Sequence, residues 1–150
     1  MQNTKPAGKE RIAYGKLPWV ALLAALVAAV ANALVYFEAS GLGFIPHSVL
    51  VPTPSGDHPL TVAPVVVSSV VGAIGAAVVF PIIGLFARRP VRLFRIVATV
   101  ALVLSFATPP TIPGAPVAMI LSLEVMHVVA WAVIVGLLTT MAGQAKAVSA

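Results

Sequence analysis

The segment Leu85-Phe86-Ala87-Arg88-Arg89-Pro90-Val91-Arg92-Leu93-Phe94-Arg95 decides the fold, because no other charged residue lies between Pro64 and Leu123. On both sides of it the chain is apolar for about one bilayer thickness. A hydrocarbon core of about 30 Å takes about 20 helical residues, each rising about 1.5 Å. The arginines cannot rest in hydrocarbon, so the apolar run must break there into two spans joined by a very short turn. That turn makes the two spans an antiparallel helical hairpin.

Working outward, two more apolar runs of spanning length flank this hairpin. The spans are expected at residues 18–40, 64–87, 91–108 and 116–141. Loops cover 41–63 and 109–115, and the turn covers 88–90. In lipid every backbone polar group must be satisfied within its own segment, so each span is a helix. Valine-rich pieces such as Val65-Val66-Val67 would favour strand in water, and span length overrides that preference. The third span is the shortest. The expected fold class is all-α: one integral membrane domain over residues 1–150, built as a membrane-spanning four-helix bundle.

Composition leads to the same class. Hydrophobic residues make up 60% of the chain and charged residues 9%, against about a quarter charged in an ordinary soluble domain. So few charges cannot coat a soluble surface of this size. The chain has no cysteine, which excludes disulfide frameworks, thiolate metal sites and cysteine nucleophiles. The net charge of +5 would suggest nucleic acid only on a soluble face. Here Lys5, Lys9, Arg11 and Lys16 precede the first span, Arg88, Arg89, Arg92 and Arg95 mark the central turn, and Lys146 follows the fourth span. All nine basic residues fall on one side of a four-pass arrangement, and neither opposite loop holds a Lys or Arg. The positive-inside rule then places both termini and the Arg88–Arg95 turn in the cytoplasm. The first apolar run is too long for a signal-peptide core and lacks a small-x-small cleavage site, so it is expected to stay as a span. The lipid bilayer is the expected partner, and nucleic acid is not.

The outer loops and adjoining helix ends carry Pro46, Pro52, Pro54, Pro59, Pro64, Pro109, Pro110, Pro113 and Pro116, which stiffen them by fixing φ. Ser48–Val51 and Leu60–Val62 flank the turn-like Pro54-Ser55-Gly56-Asp57, a pattern that suggests a short hairpin lid. Packing faces come from small residues, because close backbone approach drives helix association in lipid. The second span has two such rows, Ser68-Gly72-Ala76 and Ser69-Ala73-Ala77. The first has Ala21-Ala25-Ala29 beside Ala24-Ala28-Asn32. Gly72, Ala76 and Ala28 are the central packing positions, chiefly within one chain, with a homodimer seam as the alternative. Pro81 should kink the second span, with Gly84 easing the bend.

Glu124 and His127 are the most informative residues. They lie three apart on one helix face, with Glu124 about 12 Å inside the outer end of its span. An ionisable group at that depth is costly unless paired or hydrated, which marks a functional site by default. Asn32, Ser68, Ser69 and Ser105 fall at similar depth on the other spans. Together they would line a ligand or proton pocket open to the outer side. Three readings stand: a bonding network that locks the bundle, a proton-linked or ligand site, and a metal or pigment ligand. Di-iron bundles need two Glu-x-x-His motifs, and this chain has one. His47, Asp57, His58 and Glu38 match no metal spacing, and no nucleophile pair or phosphate loop is present. No catalytic residue, metal site or cofactor is expected.

Several motifs then suggest a family. They are Val70-Val71-Gly72-Ala73, the turn Ala87–Arg95, Leu104-Ser105-Phe106-Ala107-Thr108-Pro109-Pro110, and Met126-His127-Val128-Val129-Ala130. Over about Leu17 to Met141 the chain resembles a family of small bacterial four-helix membrane proteins known only as a domain of unknown function. The resemblance implies a bacterial inner membrane and a signature position at His127, and it implies no activity. The expected function is non-enzymatic: binding or moving a small molecule or proton, or serving as a subunit of a larger membrane complex. The alternative is an intramembrane enzyme acting on a lipid or isoprenoid, with Glu124 and His127 as acid and base.

Overall fold

The structure is a computed structural model that describes residues 10–53 and 56–145. Lys5, Lys9, Lys146, Pro54 and Ser55 lie outside the described residues. Strand β1 (Glu10–Ile12) and a 3-10 turn (Tyr14–Lys16) lead into helix α1 (Leu17–Gly41). A β-hairpin follows, β2 (Leu50–Thr53) with β3 (Gly56–Pro59). Helices α2 (Val62–Phe86), α3 (Pro90–Ser105) and α4 (Val117–Leu137) complete the bundle. A π-helical turn (Leu138–Ala142) and β4 (Gly143–Ala145) end it. All four helical segments among the described residues are long and apolar enough to cross a membrane.

The helices neighbour one another in chain order. α1 packs most extensively on α2 and α4, α3 packs on the same two, α2 and α4 meet less across one diagonal, and α1 and α3 meet least across the other. This is an up-down-up-down four-helix bundle. Small residues set the α1–α2 approach: Ala24, Ala28 and Ala73 have no exposed surface. Of the two rows on α2, Ser69-Ala73 faces inward, while Ser68 and Gly72 are exposed and Ala76 is half-buried. Gly72 and Ala76 are therefore edge positions rather than the centre of the seam. A Cβ on Gly72 would have only Ile134 Cδ1 of α4 near it, at 3.9 Å.

One end of the bundle, here the basic end, is closed by contacts that join all its elements. β1 pairs antiparallel with β4, Glu10 opposite Ala145 and Ile12 opposite Gly143. Glu10 and Ala145, the first and last described residues, therefore lie side by side. The Val91 N–H donates to Glu10 Oε2 at 3.0 Å and caps α3. Phe80 stacks on Phe94 at 4.7 Å, and Arg95 Nη2 donates to Thr139 Oγ1 at 3.0 Å. α2 continues through Pro81. Gly84 serves close approach: a Cβ there would lie 2.5 Å from Ile12 Cδ1 and 2.9 Å from the Tyr14 hydroxyl.

The opposite end is roofed by the hairpin. Its register pairs Leu50 with Pro59 and Thr53 with Gly56. The second strand thus comes before Leu60–Val62, where the sequence pattern had put it. Leu60 is buried and Val62 already starts α2, so those residues are committed elsewhere. Gly56 turns the chain at φ +117°, a conformation that suits glycine. α3 stops at Ser105, three residues short of the expected Thr108, and the chain continues as turns into Pro109–Thr111.

Candidate functional site

Among the described residues the buried hydrogen bond between helix side chains is a single pair. Asn32 Nδ2 donates to Ser69 Oγ at 2.9 Å, and Ser69 Oγ donates in turn to the Val65 carbonyl at 2.8 Å. Both residues keep only 4% of their surface exposed. The other atom of the amide, Asn32 Oδ1, is buried with no hydrogen-bond partner. The pair therefore joins α1 to α2 and leaves one acceptor unused.

The Asn32 part of the expected pocket is not open to the outside. One turn nearer the hairpin end, Tyr36, Ile45, Val49, Leu60, Val65, Met119 and Met126 form a closed apolar cluster. The loop supplies Ile45, Val49 and Leu60 to it, and the Tyr36 hydroxyl ties the loop down by donating to the Leu60 carbonyl at 3.0 Å. The polar residues of the spans suggest a pocket open to the outer side, and these apolar loop residues turn inward and plug it.

Glu124 and His127 lie elsewhere on α4. Met119, Met126 and Ser122 are its buried positions at this level, whereas Glu124 and His127 are half-buried. At about 100° per residue they sit roughly a quarter turn or more from Met126. One flank of α4, with Ala118, Leu121, Ser122 and Val125, lines an apolar groove of about 390 Å³ against Val35 and Glu38 of α1 and Leu42 just beyond it. Glu124, His127 and Trp131 occupy the opposite flank, together with Ile134, whose tip lies near Gly72 of α2. Counting from Val117, Glu124 is about 10 Å and His127 about 15 Å along α4.

The chemistry of that flank follows from its hydrogen bonds. His127 Nδ1 lies 2.7 Å from the Leu123 carbonyl of its own helix. A carbonyl can only accept, so Nδ1 carries the hydrogen and Nε2 is left as an acceptor in the neutral ring. Glu124 makes no hydrogen bond or ion pair among the described residues. Trp131 Nε1, one turn further along, is a buried donor without a partner. Neither Glu124 nor His127 bonds Asn32, Ser68 or Ser69, so the network expected to lock the bundle reduces to Asn32–Ser69. Ser68 is exposed on α2, and Ser105 Oγ donates to the Leu102 carbonyl of its own helix at 2.7 Å.

The basic residues sort as follows. Arg88, Arg89 and Arg92 are exposed at the basic end, and Arg95 has the further task of holding α3 to the π-helical turn after α4 through Thr139. Among the described residues no three His, Asp or Glu side chains gather into a ligand set. The β1–β4 pairing and the Glu10 cap escaped sequence reasoning. The only sequence signal for them was an acid in an otherwise basic leader.

Comparison with known proteins gives one result. The model of a family of unknown function matches residues 13–144. No curated protein and no solved structure matches the chain.

Proposed function

The chain belongs to the family of unknown function DUF6069, and we propose that it is an intramembrane binding protein whose site is the Glu124–His127 flank of α4. The observation that carries this reading is Glu124: a carboxyl group on a helix of spanning length, half-buried, with no partner among the described residues. A carboxylate in hydrocarbon costs several kcal/mol unless something meets it. Glu124 and His127 Nε2 both offer acceptors, so the complement is a donor: a proton, or a small molecule bearing an ammonium or similar cationic group. The role is non-enzymatic, because binding needs only these two acceptors.

The same reading places the chain in a bacterial inner membrane with both termini in the cytoplasm. Supporting it, Arg11, Lys16, Arg88, Arg89, Arg92 and Arg95 all belong to elements of the basic end, and cytoplasmic flanks carry such an excess. The pairing of Glu10–Ile12 with Gly143–Ala145 is consistent with both termini lying on one side.

The test is an inventory of small molecules retained by the purified full-length protein, taken by native mass spectrometry on wild type, Glu124→Gln and His127→Ala. The expected result is an amine-bearing species on wild type that both variants lose while remaining folded. The reading is wrong if proton uptake and ligand content are the same in all three proteins.

A further inference from the structure

A cavity of about 520 Å³ opens at the basic end, remote from Glu124, lined among others by Glu10, Arg11, Tyr14, Leu85, Phe86 and Arg88. It exists because β1 is laid across the C-terminal end of α2. Gly84 lacks a Cβ where Ile12 and the Tyr14 hydroxyl come closest. Its acid is already committed, since Glu10 Oε2 accepts the Val91 N–H that opens α3. Its cations are not. Among the described residues the guanidinium groups of Arg11 and Arg88 make no ion pair or hydrogen bond, and the Tyr14 hydroxyl makes none. Beside them Leu85 and Phe86 are strongly exposed, at 70% and 85%.

Two free guanidiniums and a hydroxyl above an apolar wall form a set of donors with one natural complement. We propose that this cavity binds the phosphate of an acidic phospholipid headgroup. A phosphodiester offers only acceptors, and guanidinium meets it with paired N–H donors. Two Arg against one Glu leave the cavity net positive, which favours an acidic lipid over a zwitterionic one whose own amine offsets the phosphate. Free phosphate shares this recognition chemistry but has no use for Leu85 and Phe86, which suit the glycerol and first acyl carbons. Basic pockets at the cytoplasmic ends of spanning helices commonly hold such headgroups. The site depends on the chain lying in a membrane and is independent of Glu124 and His127.

The test uses the full-length protein in nanodiscs of phosphatidylcholine with a minor fraction of phosphatidylglycerol. Lipid retained after mild extraction is counted by native mass spectrometry. Wild type should keep one phosphatidylglycerol. The Arg11→Gln/Arg88→Gln variant should bind it about 30-fold more weakly, at about fivefold per guanidinium, and Arg11→Lys/Arg88→Lys should recover most of the loss. Arg92→Gln, outside the cavity lining, and Glu124→Gln should retain the lipid. If the double Gln variant does not fold, Arg11→Gln alone carries the test with a loss of about fivefold. Unchanged retention in a folded Gln variant overturns the proposal. So does an equal loss in Arg92→Gln, or displacement of the lipid by inorganic phosphate.

Discussion

Asn32 on α1 and Ser69 on α2 are joined by a 2.9 Å hydrogen bond in which the amide donates and the hydroxyl accepts, and the two partners are not equally dependent on it. Ser69 keeps its own bond to the Val65 carbonyl if Asn32 is removed. Asn32, already carrying an unpartnered Oδ1, loses its last contact if Ser69 is removed.

The asymmetry predicts that Ser69→Ala is the costlier change, although it deletes the smaller group. Leaving a buried amide unpaired costs about 1–3 kcal/mol. Asn32→Ala, which also removes the orphaned oxygen, should cost less. The coupling between the two should be near the average of about 0.6 kcal/mol for interhelical bonds in membranes. A double-mutant cycle on thermal or denaturant unfolding in lipid measures all three values.

A second prediction concerns glycines. A Cβ at Gly143 would lie 2.5 Å from the Thr139 carbonyl oxygen and 2.7 Å from Val91 Cγ2. The first of these is backbone and cannot swing aside. Gly143→Ala should therefore destabilise the protein by about 1–3 kcal/mol and loosen the β1–β4 ribbon. Gly136, inside α4 with nothing within 4 Å, should accept alanine with no loss, or with a gain approaching 1 kcal/mol from helix propensity. Unfolding of the two variants side by side distinguishes packing from propensity.

The hairpin roof gives a third. Tyr36→Phe removes the donor to the Leu60 carbonyl while keeping the ring in its apolar cluster. Hydrogen exchange should quicken across the loop between Gly41 and Val62, with α2 and α4 little changed. Exchange confined to wild-type rates would mean that the buried Ile45, Val49 and Leu60 hold the loop without the bond.

Much of this fold could be read before any coordinates. Span length alone yields four helices, since no strand of about 20 apolar residues survives in lipid. The Arg88–Arg95 island locates the α2–α3 turn, and small residues at four-residue spacing mark Ala24 and Ala28 on α1, whereas on α2 the expected centre is Gly72 and Ala76, not the buried Ala73. Spacing could not choose between the two small rows of α2, because both satisfy it, and the choice depends on where α1 sits. The pairing of β1 with β4 joins three-residue strands from opposite ends of the chain, too short to show alternation. At the site, the i, i+3 spacing places Glu124 and His127 on a common face. It says nothing about what stands opposite, which is why a locking network and an unpartnered flank were equally consistent with the sequence.

Topology provides a fourth prediction. Reporter fusions at the two termini should both report the cytoplasm, and a reporter inserted in the hairpin near Gly56 should report the other side. Because β1 and β4 pair, opposite locations for the two termini would contradict the closed basic end as well as the orientation.

The proposed site stands on Glu124 being a carboxyl group that nothing among the described residues occupies. A hydrophobic carbodiimide, which partitions into the bilayer and couples to carboxyl groups there, tests this directly when applied to intact membranes and followed by peptide mass spectrometry. The account predicts modification at Glu124, reduced by whatever amine the protein retains. Glu10, Glu38 and Asp57, at the ends of the bundle, should stay unmodified. A Glu124 that remains unmodified in protein freed of ligand would contradict it.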